Sequence, residues 1–201
     1  MIIIRPAKKQ ESSEIASLIM EAMNPDCCKW FYGPDHTDID FHEFMTSLVE
    51  ADNTQYSYLN TIVAFDTDED NLAGMLVSYD GAMLHKLRTP FLEGMKSIFN
   101  RDLTLDDETQ EGELYLDSLC VKKMYRRLGI ATRLLKAGIE KTAQMGLPYT
   151  GLLVDHGNPK AEKLYASLGF TVADEKSWGS HPMHHMVRKA TPISQAAHNE
   201  N

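Results

Sequence analysis

The chain has 201 residues, of which 43% are hydrophobic and 24% charged, and its formal net charge is −9. This length allows a full hydrophobic core and favours one domain, while the negative charge argues against general nucleic-acid binding, which depends on a large positive surface. No apolar run approaches the length of a membrane span and no secretion signal is recognisable, so neither membrane insertion nor export is predicted. The three cysteines, two of them adjacent, do not form a disulfide framework, and these features together favour a cytoplasmic protein.

The first part of the chain alternates between strand and helix patterns. Residues 41–49 predict an amphipathic helix. Residues 61–65 and 72–79 predict two strands, because the polar segment between them suits a hairpin loop. An earlier amphipathic helix is predicted from apolar residues at helical spacing, namely Ile15, Leu18, Ile19 and Ala22.

A stretch of about thirty residues, 80–112, separates this hairpin from the next strand. Within it, Thr89 and Pro90 predict the start of a helix, since proline suits the first helical position. The helix would carry four apolar residues on one face: Phe91, Met95, Ile98 and Phe99. The C-terminal end of the 80–112 stretch is rich in acids, namely Asp102, Asp106, Asp107, Glu108 and Glu111.

Residues 114–121 predict a buried strand that runs through a basic, glycine-containing turn into an amphipathic helix. The first turn of a helix leaves backbone N–H groups without intrahelical partners, and together with the helix dipole these groups bind anions. Gly129 would let the backbone approach a ligand closely. The pattern Arg126-x-x-Gly129-x-Ala131 therefore predicts a phosphate-binding turn, although this pattern alone is weak.

Basic residues are concentrated after this strand. Between Lys122 and Lys141 the sequence has one acid, Glu140, and seven basic residues: Lys122, Lys123, Arg126, Arg127, Arg133, Lys136 and Lys141. Such a run is commonly a solvated helix face. Because it begins at a predicted anion site, we interpret it as attracting phosphate groups.

The last third of the chain contains a short helix whose two ends are marked, within residues 158–170. Asn158 can cap its N-terminus, Pro159 suits the first helical position, and Gly169 can take the left-handed conformation after its end. Apolar residues at spacings of three and four share one face, namely Ala161, Leu164, Tyr165 and Leu168. Strands are predicted at residues 149–155, 170–173 and 183–188, and the C-terminal residues are polar.

At these segments the chain resembles the GNAT family of acyl-CoA-dependent N-acyltransferases. The family's strand ending in valine and its Arg/Gln-x-x-Gly-x-Gly/Ala loop are matched by Val121, Arg126, Gly129 and Ala131. Its later Asn-x-x-Ala-x-x-Leu-Tyr-x-x-x-Gly-Phe block is matched by Asn158, Ala161, Leu164, Tyr165, Gly169 and Phe170. The opening residues 2–7 also resemble the family's first strand. One departure is Lys123, where many members have a proline before the turn.

The resemblance implies an α/β (α+β) fold, in which a mixed and mostly antiparallel sheet has helices on both faces. Two strands of this sheet would splay apart to hold acyl-CoA. The GNAT domain would cover residues 1–190, with an insertion at about 80–112, and residues 191–201 would form a polar tail. The resemblance is also compatible with a homodimer.

The implied cofactor is acetyl-CoA, and the implied reaction transfers its acetyl group to a primary amine by direct attack in a ternary complex. The cofactor strand would act through its backbone, because a strand edge without a neighbour offers N–H and C=O groups to an amide-bearing ligand. The residues assigned to cofactor binding are Leu119, Cys120, Val121, Arg126, Arg127, Leu128, Gly129, Ile130, Ala131, Thr132 and Asn158.

The resemblance places Tyr165 to protonate the departing thiolate, although a packed helix aromatic is the simpler alternative. A backbone N–H near Leu119 or Cys120 would stabilise the oxyanion. Strand alternation puts five residues on one face, namely Glu113, Tyr115, Asp117, Leu119 and Val121. Glu113 or Asp117 would accept the proton of the amine, or would be a solvated strand acid or a hydrogen-bond anchor.

The acceptor is not specified beyond an amine of a small molecule or a peptide. One hypothesis is that the acid-rich insertion is a lid that favours cationic amines. The alternative is an ordinary solvated loop with a covering helix. A non-catalytic acyl-CoA-binding or regulatory module is the alternative function. No metal site is expected from His181, His184 and His185, because His184 and His185 are neighbours and point to opposite faces of a strand.

Overall fold

The computed structural model describes residues 1–179 and 181–191. Its seven strands are β1 (Ile2–Pro6), β2 (Thr61–Asp66), β3 (Asn71–Asp80), β4 (Glu113–Val121), β5 (Tyr149–Asp155), β6 (Thr171–Trp178) and β7 (His181–Lys189). They form one sheet in the order β1-β2-β3-β4-β5-β7-β6. The β4–β5 pair is parallel and the other described pairs are antiparallel. The mixed, mostly antiparallel sheet that the resemblance implied is therefore present.

Helices cover both faces of the sheet. They are α1 (Ser12–Met23), α2 (Pro25–Tyr32), α3 (Asp38–Glu50), α4 (Leu84–Ser97), α5 (Ile130–Gln144) and α6 (Pro159–Ser167). One core cluster lies between the sheet and α1 to α4, and it includes Phe41, Met75 and Phe91. A second cluster, which includes Leu116 and Leu134, lies under α5, and apolar residues of α6 pack against it. We call these sides the α1 face and the α5 face.

The predicted start of α4 at Thr89 is wrong. A short 3₁₀ turn at Gly81–Met83 leads directly into the helix at Leu84, and the side chain of Asp80 accepts a hydrogen bond from the Ala82 amide at 3.0 Å. Pro90 consequently lies inside α4. Proline costs a helix one hydrogen bond at an interior position, and the packing of Phe91 and Met95 in the α1-face core outweighs that cost.

The last two strands are longer than predicted. The sequence predicted strands at 170–173 and 183–188, whereas β6 and β7 pair over the whole length from Thr171↔Val187 to Trp178↔His181. Strand β6 lies at the sheet edge and is mostly exposed, so its polar residues give no hydrophobic alternation to read. From residue 192 onward, the predicted polar tail lies outside the described residues.

Candidate active site

Strands β4 and β5 are neighbours for only part of their length. Their register contains three pairs, Glu113↔Tyr149, Leu114↔Thr150 and Tyr115↔Gly151. Beyond these pairs β4 continues alongside β3, while β5 continues alongside β7. Residues 116–121 of β4 and 152–155 of β5 therefore face a gap in the sheet, which is the splay that the resemblance implied.

Two residues of β4 direct their backbone groups into this gap. The Lys122 amide donates to the Ala73 carbonyl at 2.9 Å, while Gly74 and Val121 are register partners. In an antiparallel ladder this makes Gly74↔Val121 a non-hydrogen-bonded pair, so the N–H and C=O groups of Val121 point away from β3. Leu119 has the same orientation as Val121, and Cys120 has the opposite one. Of the two predicted oxyanion donors, the geometry therefore favours Leu119 over Cys120.

A buried tyrosine anchors the turn that follows β4. The hydroxyl of Tyr125 lies 3.0 Å from a carboxylate oxygen of Asp66 and 3.2 Å from the amide oxygen of Asn71, which fixes the turn to the β2–β3 hairpin. Arg127 and Gly129 then adopt left-handed backbone conformations, with φ of 68° and 74°. This conformation is unfavourable for a residue with a Cβ, so Arg127 holds backbone strain.

The backbone amides of residues 127–132 form an open cradle. Within residues 1–179 and 181–191, none of these six N–H groups donates a hydrogen bond to a backbone or side-chain acceptor. Helix α5 begins at Ile130, and Gly129 precedes it as an N-cap without a side chain. A Cβ built on Gly129 would meet no atom within 4 Å, so the space in front of it is open. We call residues 127–132 the amide cradle, and its N–H groups suit an anion such as a pyrophosphate.

Most residues of the basic run bond to other groups of the protein. Lys122 pairs with Glu14, Arg126 pairs with Glu21 at 2.8 Å, Arg133 donates to the Ile2 carbonyl, and Lys141 donates to Ser78. Burial lowers the pKa of Lys141. Lys123, Arg127 and Lys136 are exposed. The predicted attraction of phosphates therefore rests on these three residues rather than on all seven.

The predicted cofactor residues of this region differ in what they present. Arg126 turns back, and its Nε donates to the Val121 carbonyl at 3.0 Å. The Ile130 side chain is buried in the α5-face core, so Ile130 offers only its backbone. Leu128 is 65% exposed, whereas Ala131 and Thr132 are half-buried.

Helix α6 has the end signals that the sequence predicted. The side chain of Asn158 accepts a hydrogen bond from the Ala161 amide at 3.2 Å, and Gly169 has a φ of 87°. Tyr165 is half-buried against the α5-face core, with its ring centroid 6.1 Å from that of Phe170. Its hydroxyl has no hydrogen-bond partner among the residues that the structure describes. Burial raises the pKa of Tyr165, so the phenol keeps its proton.

A β-bulge at Asp117 overturns the predicted alternation of β4. Val77 pairs with Ser118 and Ser78 pairs with Leu116, which leaves Asp117 without a partner on β3. An extra residue in one strand shifts the phase of all the side chains that follow it. Leu119 and Val121 therefore pack on the α5 face, whereas Cys120 packs on the α1 face.

Asp117 forms an acid pair with Glu108 from the 80–112 segment. The hydroxyl of Tyr79 lies 3.1 Å from a carboxylate oxygen of each acid, and Arg88 binds the other oxygen of Glu108. Because Tyr79 has one hydrogen to donate, its contact with the second carboxyl is favourable when that carboxyl carries a proton. Burial and the charge of Asp117 raise the pKa of Glu108 to about 7, and burial also raises the pKa of Asp117.

Sequence reasoning did not single out the other members of this cluster. Gln55 donates to Asp117 at 3.4 Å, while its buried Oε1 atom accepts no hydrogen bond from the described residues. Glu108 was one acid among five in the inserted segment. Nothing in that pattern distinguished it from Asp102, which pairs with Lys96 at the surface, or from Asp107, which is half exposed beside Arg88.

Glu113 occupies a different environment from Asp117. It is buried at the paired end of β4, where it accepts hydrogen bonds from Thr109 at 2.5 Å and from His185 Nε2 at 2.9 Å. His185 Nδ1 lies 2.9 Å from Asp174. Gly151 makes room for the Glu113 carboxylate, because a Cβ at Gly151 would lie 2.2 Å from it. Burial lowers the pKa of His185, but the hydrogen bond and charge of Glu113, with the charge of Asp174, raise it above its ordinary value overall.

Cys120, one of the predicted cofactor residues, has a buried free thiol. Burial and the charge of Glu21 raise the pKa of Cys120 to about 12, so this thiol is protonated and is a poor nucleophile. In the described part of the chain, no helix is long and apolar enough to cross a membrane.

Residues 20–170 match the sequence model of the acetyltransferase (GNAT) family. The chain belongs to this family. It is therefore an N-acetyltransferase, as the two motifs predicted. No curated protein sequence matches the chain.

Similar solved structures are acetyltransferases. The chain is 26% identical to a protein described as an acetyltransferase, with a TM-score of 0.79 over 94% of this chain and 100% of the other. It is 23% identical to an N-acetyltransferase from Staphylococcus aureus Mu50, with a TM-score of 0.75 over 92% and 99% of the two chains. A PaiA N-acetyltransferase from Thermoplasma acidophilum, determined in complex with coenzyme A, is 18% identical with a TM-score of 0.54 over 94% and 99%. The last two likenesses concern the fold.

Proposed function

We propose that this N-acetyltransferase transfers an acetyl group from acetyl-CoA directly to a primary amine. The observation that carries the proposal is the gap between β4 and β5, together with the amide cradle at the end of β4. The gap offers the backbone groups of Leu119 and the N–H group of Val121 to the pantetheine amides, and the cradle offers six N–H groups to the pyrophosphate. Asn158, at the start of α6, would complete the cofactor site.

The amine nitrogen attacks the thioester carbonyl carbon, and the C–N bond forms as negative charge develops on the carbonyl oxygen. The Leu119 amide would stabilise this charge. Collapse of the intermediate breaks the C–S bond, and the departing thiolate takes a proton from Tyr165, whose hydroxyl is not engaged elsewhere in the described structure. Holding both substrates in the gap supplies much of the acceleration.

Asp117 is the proposed general base, and Glu108 is the neighbouring acid that shares the Tyr79 hydroxyl with it. Asp117 lies at the bulge, beyond the last β4–β5 pair, and burial raises its pKa above the ordinary carboxyl value. Glu113 was an equal candidate from sequence, but its carboxylate is held by Thr109 and His185 at the paired end of β4. We therefore assign Glu113 a positioning role.

The acid pair also supports a cationic acceptor. Among the described residues, Arg88 bonds to Glu108 and Asp107 but not to Asp117, and the buried Oε1 of Gln55 is a further acceptor for an ammonium group. An amine that enters as its ammonium form would lose a proton to Asp117 before attack. The remaining acids of the insertion mostly bond to α4 and β6, which does not favour a separate acidic lid.

The test is the release of free thiol from acetyl-CoA across an amine panel that includes a polyamine, a lysine peptide and a neutral aryl amine. We expect acetylated product, with the polyamine or lysine peptide turned over faster than the aryl amine. Equal rates for all three would contradict the cationic acceptor. Calorimetric binding of acetyl-CoA without any product would instead identify a non-catalytic binding module. The extent of the domain over residues 1–190, the homodimer and the cytoplasmic location stay predictions.

A further inference from the structure

Two histidines and a glutamate converge at the far end of the sheet, outside the proposed transfer site. Glu175 on β6 and His184 on β7 are register partners, and His156 follows the end of β5. One carboxylate oxygen of Glu175 lies 2.7 Å from His156 Nε2 and the other lies 3.2 Å from His184 Nε2. The ligand atoms of the three residues lie within 4.8 Å of one another.

The backbone holds these side chains on rigid elements. His184 is paired with Val154 on one side and with Glu175 on the other, so it lies in the middle of a three-strand segment. The His156 amide donates to the Pro182 carbonyl at 3.3 Å, which fixes His156 beside β7. Ligands held in this way need little rearrangement to bind an ion.

The donor set is that of a zinc-class ion. Two imidazole nitrogens and one carboxylate suit Zn²⁺ and its neighbours in the first transition row, with water in the remaining position. Ion pairs alone would also explain the contacts of Glu175, but they would not explain the position of the second ring nitrogen of His184.

The surroundings of the second ring nitrogen of His184 favour a metal site. His184 Nδ1 is buried and has no hydrogen-bond partner among the described residues, while a carboxylate oxygen of Glu162 on α6 lies 3.6 Å from it. A metal-bound histidine donates its second N–H to a carboxylate or carbonyl in most proteins, which fixes its tautomer. Binding through Nε2 would place the proton on Nδ1, facing Glu162.

We propose that His156, Glu175 and His184 bind one divalent transition-metal ion, with Glu162 as the hydrogen-bond acceptor of His184. The sequence expectation of no metal site considered His181, His184 and His185. His185 does point to the opposite side, where it bonds with Glu113. The second histidine of the site is instead His156, which lies 28 residues earlier in the sequence and is brought beside His184 by the pairing of β5 with β7.

Titration of the metal-free protein with Zn²⁺ tests this proposal by calorimetry and thermal unfolding. We expect one equivalent to bind and, at a hundredfold excess over its Kd, to raise the unfolding temperature by roughly 5–10 °C. His156→Ala, His184→Ala and Glu175→Gln should each abolish the increase. His181→Ala is the matched control, since its side chain is 74% exposed beside the cluster, and it should keep the increase.

The unfolding temperature of each variant without metal reports whether it folds, so a folding defect is separated from a binding defect. Cobalt(II) substitution should give visible d–d absorption without thiolate charge transfer. No Zn²⁺ binding by the wild-type protein, an undiminished response in the three ligand variants, or a cobalt–thiolate spectrum would each overturn the proposal. The test does not depend on acetyl transfer.

Discussion

Tyr165 and Asp117 lie on opposite faces of the sheet. Tyr165 packs on the α5 face, while Asp117 bonds with Tyr79 and Gln55 on the α1 face. A transfer reaction needs a proton taken from the amine and a proton given to the thiolate, and these events occur on different sides of the carbonyl carbon. The opposed placement of the two residues therefore suits the separate roles proposed for them.

Replacement of Tyr165 by phenylalanine tests the acid role. We expect kcat to fall by about 10²-fold or more, the usual contribution of a positioned proton donor, while the Kd for acetyl-CoA is unchanged because the ring packing is kept. Steady-state kinetics and calorimetry measure the two quantities. Tyr149→Phe, at an exposed position of the paired end of β5, is the control. Unchanged kcat in Tyr165→Phe would show that the residue only packs.

The acid pair predicts how activity depends on pH. Burial raises both pKa values, and the charge of Asp117 helps to raise that of Glu108 to about 7, so the pair gives up its last proton around pH 7 and kcat/KM should rise there. Glu108→Gln removes the carboxyl that titrates around pH 7, so the rise should move to the lower pH at which Asp117 alone loses its proton. Asp117→Asn should reduce kcat by about 10²-fold or more.

The matched control for Glu108 is Asp107→Asn. Asp107 contacts the same guanidinium of Arg88 at 3.2 Å, but its side chain is 51% exposed. This variant should keep the wild-type pH profile. A profile that shifts in Asp107→Asn and stays in place in Glu108→Gln would contradict the proposed role of Glu108.

At the scale of elements, the turn between β4 and α5 combines two demands on Gly129. Its φ of 74° is unfavourable for other residues, and its missing Cβ leaves the amide cradle open. Gly129→Ala should therefore cost about 1–2 kcal/mol of stability and also weaken acetyl-CoA binding by roughly tenfold or more, which corresponds to about 1.4 kcal/mol. Denaturant unfolding and calorimetry measure the two effects.

Gly146→Ala is a matched control, since Gly146 has a φ of 68° and open space around it at the other end of α5. It should lose similar stability and bind acetyl-CoA like the wild-type protein. Equal affinities in the two variants would mean that the cradle does not hold the phosphates.

The elements could be predicted from sequence where the signal is local. The N-cap, proline and glycine of α6 lie within a dozen residues, and β5 was predicted with its observed bounds. The start of α4 was missed because tertiary packing outweighs a proline signal. The bulge at Asp117 was missed because it is a property of the pairing with β3, which alternation within one strand does not contain.

At the scale of the whole molecule, the sheet consists of two parts joined at β4 and β5. Three residue pairs connect β1 to β4 with β5 to β7, and the buried contact between Glu113 and His185 adds a side-chain link across the junction. Because these two residues lie 72 positions apart, sequence patterns gave no sign of the link. We therefore expect this buried pair to contribute more to the free energy of unfolding than a surface ion pair would.

His185→Ala should accordingly reduce the free energy of unfolding by about 3–5 kcal/mol, because it leaves Glu113 buried without its partner. The pKa of His185 is raised in the folded protein, so its favourable contribution is complete below about pH 6.5, the ordinary histidine value, and is lost as the pH rises through the folded value. Denaturant unfolding across this range should show that loss in the wild-type protein and not in His185→Ala. His85→Ala, on α4 with a side chain that is 78% exposed, is the control. Identical pH dependence in wild type and His185→Ala would contradict this account.

The unpaired stretch of β4 also bears on exchange of amide hydrogens with deuterated solvent. β4 is the fourth of seven strands, a place where amides are normally among the slowest to exchange. Leu119 and Val121 direct their N–H groups into the gap, whereas Cys120 between them bonds toward β3. Fast and slow amides should therefore alternate along one central strand, because successive residues behave in turn like those of an edge strand and those of an interior strand.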